Sequence, residues 1–246
     1  KHYCILTQNA IEKYDYAKAS KVGEVVNFSG LDLKGYVVDY QFSKDESKVL
    51  LILNPEMIYR HSYLADCFVY DIATKKLTSV AKEKVRLAEF SPNSQKVAYV
   101  SNNNIFIFDI ASMQTKQITT DGEYNHIING TTDWVYEEEF AFVRAFDWNA
   151  DGTQLAFIRF DESDVPTFSM DVYGKELYPT QQVFKYPKAG EKNSKVSLHI
   201  YDAKKASTKK VALNETKDYY IPRIKFTNKA NLLSVQTLNR HQNDLN

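Results

Sequence analysis

A short segment recurs four times along the chain, at 40–53, 88–101, 146–159 and 224–237. Each copy has an aromatic residue, then a short polar turn, and an apolar residue seven positions after the aromatic, as Phe42 and Val49 show in the first copy. The turns are rich in Asp, Asn, Pro and Gly, which tight hairpin turns favour. Each copy therefore predicts a strand, a turn and a second strand.

A second element follows at 67–80, 105–118 and 198–213. Each begins with an apolar run that ends in an aspartate, Asp71, Asp109 or Asp202, and continues through a basic, turn-rich stretch into another short strand. The two elements together make a unit of four antiparallel strands. A repeated four-stranded unit is typical of a β-propeller blade.

Both faces of these strands are apolar. In the stretch NIFIFDI, Ile105 and Ile107 point to one face of the strand, and Phe106 and Phe108 point to the other. A strand in a sheet with one solvent-exposed face would alternate apolar with polar residues, whereas radially stacked blades are covered on both faces. The sequence thus predicts an all-β partial β-propeller of about four four-stranded antiparallel blades.

The four aromatics, Phe42, Phe90, Trp148 and Phe226, are 48, 58 and 78 residues apart, against about 40 to 50 for a standard blade. The excess lies in 121–140, before the third copy, and in 161–193, within it. Four such irregular units would be unusual in a closed ring. We therefore expect further blades outside residues 1–246, and an isolated chain that is unstable or self-associates.

The charge balance and the cysteines exclude several classes of function. The chain has 31 basic and 31 acidic side chains, so it lacks the excess of positive charge that is typical of proteins that bind nucleic acid or a membrane surface. Cys4 and Cys67 are far apart in sequence and form no CxxC motif, which argues against a zinc-binding or redox motif. We expect no metal and no cofactor. Neither a long apolar run nor a signal-peptide pattern is present in the sequence.

Three adjacent glutamates, Glu137, Glu138 and Glu139, follow the aromatic residues Trp134 and Tyr136. Neighbouring carboxylates can accept charge-assisted hydrogen bonds from a protonated amine. Adjacent helical side chains point about 100° apart, so a turn of helix is needed to bring two carboxylates together. The two aromatics would hold that turn rigidly against the blades. A solvated acidic surface turn is an alternative explanation for the same residues. A calcium site is disfavoured, because the sequence lacks Asp and Asn residues at EF-hand spacing.

The stretch TTDWVYEEEF, 131–140, resembles the glutamate motif of the dipeptidyl peptidase IV family, in the prolyl oligopeptidase class of serine peptidases. YRHSYLADCFVYDI at 59–72, FDESDVP at 160–166 and KYPKAGEKN at 185–193 resemble further segments of that family in the same order. The likeness covers nearly the whole chain.

The resemblance implies that residues 1–246 are part of one N-terminal propeller that sits over an α/β-hydrolase domain. It implies that Glu138 and Glu139 hold the free N-terminus of a peptide and that Arg60 contacts a backbone carbonyl oxygen of the peptide. Glu137 would be a supporting or a solvated acid. The whole enzyme would release X-Pro or X-Ala dipeptides from peptide N-termini.

The chain has no Gly-x-Ser-x-Gly stretch to carry a nucleophilic serine. The catalytic triad is therefore expected outside this chain, and His61, His126 and His199 are interpreted as blade or loop residues. A tripeptidyl peptidase of the same class remains an alternative, because the distance from anchor to nucleophile depends on the other domain. A non-catalytic propeller used for protein interaction is the second alternative.

The insertion at 161–193 resembles an extended arm through which relatives form homodimers. Its stretch 172–187 alternates apolar and polar residues, which suits an exposed two-stranded ribbon. An ordinary surface loop is the alternative. The resemblance also implies an exported protein that is periplasmic, at the cell surface or membrane-anchored.

Overall fold

A computed structural model of the chain describes residues 1–213, 218–229 and 231–246. Within these residues the regular structure consists of twenty β-strands, one α-helix and one short 3-10 turn at Phe28–Gly30. The sheets are antiparallel throughout, and the all-β prediction is confirmed.

The first sheet precedes all four copies of the repeat. It is formed, in the order β1-β2-β3, by His2–Leu6 (β1), Ala10–Asp15 (β2) and Lys21–Asn27 (β3). The repeat did not indicate this sheet.

The first two blades have four strands each, in chain order. The first blade consists of Val37–Phe42 (β4), Lys48–Met57 (β5), Tyr63–Asp71 (β6) and Leu77–Ser79 (β7). The second blade consists of Arg86–Phe90 (β8), Lys96–Ser101 (β9), Asn104–Asp109 (β10) and Gln114–Gln117 (β11). In both blades, the strand-turn-strand copies and the elements that follow them lie where the sequence predicted them.

The third blade contains both insertions. Its strands are Ile127–Asn129 (β12), Phe146–Trp148 (β13), Gln154–Asp161 (β14), Lys195–Asp202 (β17) and Ser207–Lys210 (β18). Two short strands, β12 and β13, pair with the same edge of β14, and the helix Trp134–Glu139 (α1) lies between them. The arm is a two-stranded ribbon inserted after β14, formed by Thr167–Val172 (β15) and Thr180–Lys185 (β16). The predicted short helix and extended arm are both present. The ribbon begins earlier than the stretch 172–187 indicated by the sequence, and residues 173–179 form its tip.

The fourth copy forms a two-stranded sheet of Tyr219–Phe226 (β19) and Leu233–Asn239 (β20). The described chain thus has two four-stranded blades and a five-stranded third blade, with three strands in its first sheet and two in its last. The predicted count of four strands therefore holds for the first two blades, and the insertion before β13 adds a strand to the third.

Apolar clusters fill the spaces between successive sheets, as stacked blades require. Val69 of the first blade and Val97 of the second belong to one buried cluster. Ile105 of the second blade and Phe157 of the third belong to the next. Both faces of the central strands are therefore buried, which explains their continuous apolar runs.

Polar contacts between the blades recur at one position of the repeat, directly before its aromatic residue. In the first blade, Gln41 accepts a hydrogen bond from the backbone N–H of Phe90 at 3.4 Å. In the second, Glu89 forms an ion pair with Arg144. In the third, Asp147 accepts a hydrogen bond from the backbone N–H of Phe226 at 2.6 Å. The same repeat position thus ties each blade to the next around the axis.

The blade topology brings two loops to the same end of the propeller. Consecutive strands of an antiparallel blade run in opposite directions, so the hairpin between its second and third strands leaves at the end where the chain enters its first strand. The β5–β6 hairpin at 58–62 contains Arg60, and the segment at 130–145 that leads into β13 contains α1. The fold therefore places both at one end, which we call the site end.

Candidate functional site

Helix α1 begins at a buried N-cap, Asp133. Its Oδ1 accepts a hydrogen bond from the backbone N–H of Tyr136 at 2.9 Å, and its Oδ2 accepts one from the Ser194 hydroxyl at 2.5 Å. Burial raises the pKa of Asp133, and the two hydrogen bonds oppose that rise. The cap satisfies a backbone donor at the helix start and ties α1 to the segment between the arm and β17.

Two aromatic side chains of α1 hold the helix against its surroundings. Tyr136 is fully buried, with its ring 4.8 Å from that of Phe160 between centroids. Its hydroxyl accepts a hydrogen bond from the backbone N–H of Ile221 on β19 at 3.0 Å. The Trp134 ring lies 4.4 Å from the Tyr186 ring, directly after the last strand of the arm. The helix is thus anchored to the third blade, the last sheet and the arm.

The three glutamates have three different environments, because successive side chains leave a helix in different directions. Glu137 is 1% exposed, and its Oε1 accepts hydrogen bonds from the backbone N–H groups of His61 at 2.7 Å and Ser62 at 2.9 Å. Glu137, for which the sequence left a supporting or a solvated role open, therefore joins α1 to the hairpin that contains Arg60.

Glu138 and Arg60 form an ion pair at the site end. Oε2 of Glu138 lies 3.2 Å from Nε of Arg60, and the exposed fractions of the two side chains are 17% and 72%. Glu139 is exposed and has no hydrogen-bond or ion-pair partner in the described part of the chain. The structure brings Arg60 next to Glu138 across 78 positions of sequence, and it leaves both exposed enough to meet a ligand.

Tyr59, which precedes Arg60, was missed by the sequence analysis. Its ring packs 5.8 Å from that of Phe184 on β16, and burial raises the pKa of its hydroxyl. The hairpin closes through hydrogen bonds from the N–H groups of Ile58, at 2.8 Å, and Tyr59, at 3.4 Å, to the carbonyl of Ser62. An aromatic residue beside a candidate binding arginine was the available signal.

Arg86 was also missed. It lies on β8 at a β-bulge, with Leu87 at a φ of 59°. Burial lowers the pKa of Arg86, and the charge of Glu137, followed by Tyr59, opposes that change. A half-buried cation thus lies near the carboxylate that holds the Arg60 hairpin. No sequence pattern indicates it, because the bulge sets its direction.

Glu162 lies at the base of the arm and is 6% exposed. Burial raises its pKa to about 8, the nearby Asp133 adds to the rise, and Lys185 opposes it. Two buried acids therefore stand between α1 and the arm.

The predicted histidines lie outside the ion pair. The backbone of His61 binds Glu137, His126 Nδ1 lies 2.9 Å from Glu123, and His199 on β17 stacks on Phe157. Among the described residues, no cluster of three His, Cys, Asp or Glu side chains could hold a metal ion. In the same part of the chain, no helix has the length and apolar character needed to cross a bilayer.

Known proteins share this architecture. Residues 43–246 match the family model described as the dipeptidyl peptidase IV (DPP IV) N-terminal region. The crystal structure of Porphyromonas gingivalis dipeptidyl peptidase 4 is 43% identical, with a TM-score of 0.94, over 99% of this chain and 36% of that one. A putative dipeptidyl aminopeptidase IV from Bacteroides ovatus, 19% identical with a TM-score of 0.70, covers 99% of this chain and 33% of its own and shares the fold.

Curated relatives agree. A probable dipeptidyl peptidase 4 of Aspergillus fumigatus is 34% identical over 82% of this chain and 28% of its own length. Dipeptidyl aminopeptidase B of Saccharomyces cerevisiae is 38% identical over 66% of this chain and 20% of its own length. The chain thus spans about a fifth to a third of the proteins it matches. From the family model, the shared fold and these relatives, the chain belongs to the dipeptidyl peptidase IV N-terminal region family.

Proposed function

We propose that this chain is the propeller part of a serine-type dipeptidyl peptidase and that its site end anchors the free N-terminus of a peptide. The single observation that carries the proposal is the pairing of Glu138 with Arg60, beside the unpartnered carboxylate of Glu139. Two acids and one guanidinium, exposed at the same end of the fold, match the charges and hydrogen-bonding groups of a peptide N-terminus.

In this proposal the peptide ammonium group binds Glu138 and Glu139, which together offset its charge and accept its N–H groups. Arg60 then donates to a backbone carbonyl oxygen of the same peptide. Glu137 stays buried and holds the Arg60 hairpin against α1, so the groups that bind amine and carbonyl keep a fixed separation. Such positioning can lower a reaction barrier by several kcal/mol.

The cleaved bond is set by the distance from this anchor to the nucleophile. The proposed triad lies in a separate α/β-hydrolase domain of the full-length protein, and an anchor two residues from the scissile bond releases X-Pro or X-Ala dipeptides. The relatives are named as dipeptidyl peptidases, which supports the release of dipeptides rather than tripeptides. A tripeptidyl peptidase would use the same anchor with a longer reach.

The arm supports a further part of the proposal, a homodimer. Its tip and outer strand expose large apolar side chains, which a second copy would cover. Those exposed by more than a third include Phe168, Met170, Tyr173, Leu177 and Tyr178. The proposed location of the full-length protein is outside the cytoplasm, in the periplasm, at the cell surface or anchored to a membrane.

The test uses the full-length protein and a Gly-Pro chromogenic substrate. We expect Glu138→Gln and Glu139→Gln each to lower kcat/KM by roughly 10–100-fold, because a hydrogen bond to a charged group contributes about 1.5–3 kcal/mol. Glu83→Gln is the matched control, since Glu83 is an exposed glutamate between β7 and β8, at the same end.

The N-acetylated substrate should not be cleaved by the wild-type protein. Normal turnover by both glutamine variants would refute the anchor, and a full-length protein without peptidase activity would favour the non-catalytic interaction module.

A further inference from the structure

An aromatic cluster joins the base of the arm to both halves of the candidate site. Phe184 lies in β16 and Tyr186 directly follows that strand. Phe168 of β15 packs against both, with centroid distances of 5.9 and 5.5 Å. Phe184 also contacts Tyr59, at 5.8 Å, and Tyr186 contacts Trp134, at 4.4 Å. We call Phe168, Phe184 and Tyr186 the arm root.

The two residues that contact the arm root, Tyr59 and Trp134, are close in sequence to the two members of the ion pair, Arg60 and Glu138. Tyr59 directly precedes Arg60 in the hairpin, and Trp134 is the first residue of α1, one helical turn before Glu138. Side chains four positions apart lie on the same face of a helix. A shift of either ring against the arm root would therefore move Arg60 and Glu138 relative to each other.

The arm root itself is fixed to the propeller. The Lys185 ammonium donates a hydrogen bond to the carbonyl of Val165 at 2.8 Å, and the Tyr124 hydroxyl donates one to the carbonyl of Val183 at 2.7 Å. The backbone N–H of Tyr186 binds the carbonyl of Pro166 at 3.0 Å. By contrast, every residue of β15 is exposed, including Phe168, the most exposed member of the arm root at 37%. The arm thus has a packed base and a free outer part.

We infer that Phe184 and Tyr186 are positioning residues for recognition of the peptide N-terminus, because their rings brace the Arg60 hairpin and α1 at a set separation. This inference rests on the proposed function. The arm root touches neither the amine nor the carbonyl in this scheme, and it acts through Tyr59 and Trp134. Loss of the bracing rings weakens substrate binding and leaves the separate hydrolytic groups unaltered.

The test compares Phe184→Leu and Tyr186→Leu with the wild type in the full-length protein. Leucine keeps an apolar side chain at each position and removes the ring. KM for the Gly-Pro substrate should rise by about 5–30-fold, because small misplacements of positioning groups have large effects, while kcat stays within about twofold. Tyr186→Phe should restore KM, because it keeps the ring.

Two control variants separate this role from others. Met170→Ala changes the same ribbon at a residue outside the arm root, and Leu177→Ser changes the arm tip, where the side chain is 89% exposed. Both should leave KM unchanged. An equal rise of KM in Leu177→Ser together with a change of oligomeric state would assign the effect to association and overturn the inference.

Glu138→Gln is measured in the same series, so that the two proposals can fail separately. If Glu138→Gln is impaired while both leucine variants bind substrate normally, the positioning role is wrong and the anchor stands. A fall in kcat with unchanged KM in the leucine variants would indicate a smaller fraction of folded enzyme, and would also overturn the inference. Normal kcat/KM in both Glu138→Gln and Glu139→Gln would overturn the anchor itself.

Discussion

The carboxylate oxygen Oε1 of Glu137 lies 2.7 Å from the backbone nitrogen of His61, 76 positions earlier in the chain. This contact joins a helix inserted in the third blade to a hairpin of the first. The neighbouring ion pair of Arg60 and Glu138 is partly exposed, and exposed ion pairs contribute only about 0–1 kcal/mol. The buried carboxylate therefore holds the site together, and the exposed pair is free to exchange partners with a ligand.

Replacing Glu137 should destabilise the propeller. Glu137→Ala leaves two backbone N–H groups, those of His61 and Ser62, without their acceptor, at a cost of about 2–4 kcal/mol. Calorimetry of the full-length protein should show a lower Tm for its propeller transition. Glu137→Gln retains a carbonyl acceptor and should lose clearly less. Equal Tm values for wild type and Glu137→Ala would contradict the bridging role.

Replacing Arg60 should change stability little and substrate binding strongly, in contrast to Glu137. Arg60→Met removes a mainly exposed guanidinium, so we expect Tm to change by less than about 2 °C. Under the proposed function, KM for the Gly-Pro substrate should rise by roughly 10–100-fold, because the variant loses the charged donor proposed to bind the peptide carbonyl. Arg60→Lys should be intermediate, since lysine keeps the charge without the planar fork. A large loss of stability with unchanged KM would show a purely structural arginine.

Glu162 should make stability depend on pH. Burial raises its pKa from an ordinary 4.5 to about 8, so between these values the folded protein binds more protons than the unfolded one. The free energy of unfolding that Glu162 contributes is thus fully present below pH 4.5 and is lost as pH rises through 8. Glu162→Gln should match wild type near pH 4.5 and be more stable by about 1–4 kcal/mol at pH 8.5.

The measurement for Glu162 is the difference in Tm between variant and wild type across that pH range. The control is Glu176→Gln, at an exposed position in the arm. A difference in Tm that does not vary with pH would show that the carboxyl does not titrate in this window.

The two cysteines should differ in reactivity. Both are free, but Cys67 is buried and burial raises its pKa to about 12, while Cys4 is only half-buried. Alkylation of the native protein at pH 8 should modify Cys4 at least about tenfold faster than Cys67. Peptide mass mapping gives both rates, with urea-unfolded protein as the reference. Similar rates in the native protein would contradict the buried environment.

The sequence predicted the blades well because the repeat carries its own local chemistry. The aromatic, the polar turn and the apolar run each have a role within one hairpin, so Phe42 through Leu53 could be assigned without knowledge of the rest. The first sheet lacks this signature, although Ile11 and Val26 are buried in it, and it was missed. The two strands of the last sheet were indicated by the same hairpin pattern.

The site was less accessible to sequence reasoning, because it depends on contacts between distant segments. Local chemistry could justify a helical turn at Glu137 but not its burial, since the hairpin that covers it comes from another blade. Arg60 was singled out through the family resemblance alone. Arg86 and Glu162 were missed because a bulge and the arm base, neither visible as a pattern, determine where these side chains lie.

The bond between Glu137 and His61 has a consequence for how the protein is made. During synthesis, the hairpin that contains Arg60 leaves the ribosome well before helix α1. The contact between them can form only after the whole second blade has been synthesised. The candidate site is consequently completed late in synthesis of the chain. Mutations that delay docking of the second and third blades would reduce the yield of protein with an assembled site even where they leave every residue of the candidate site intact.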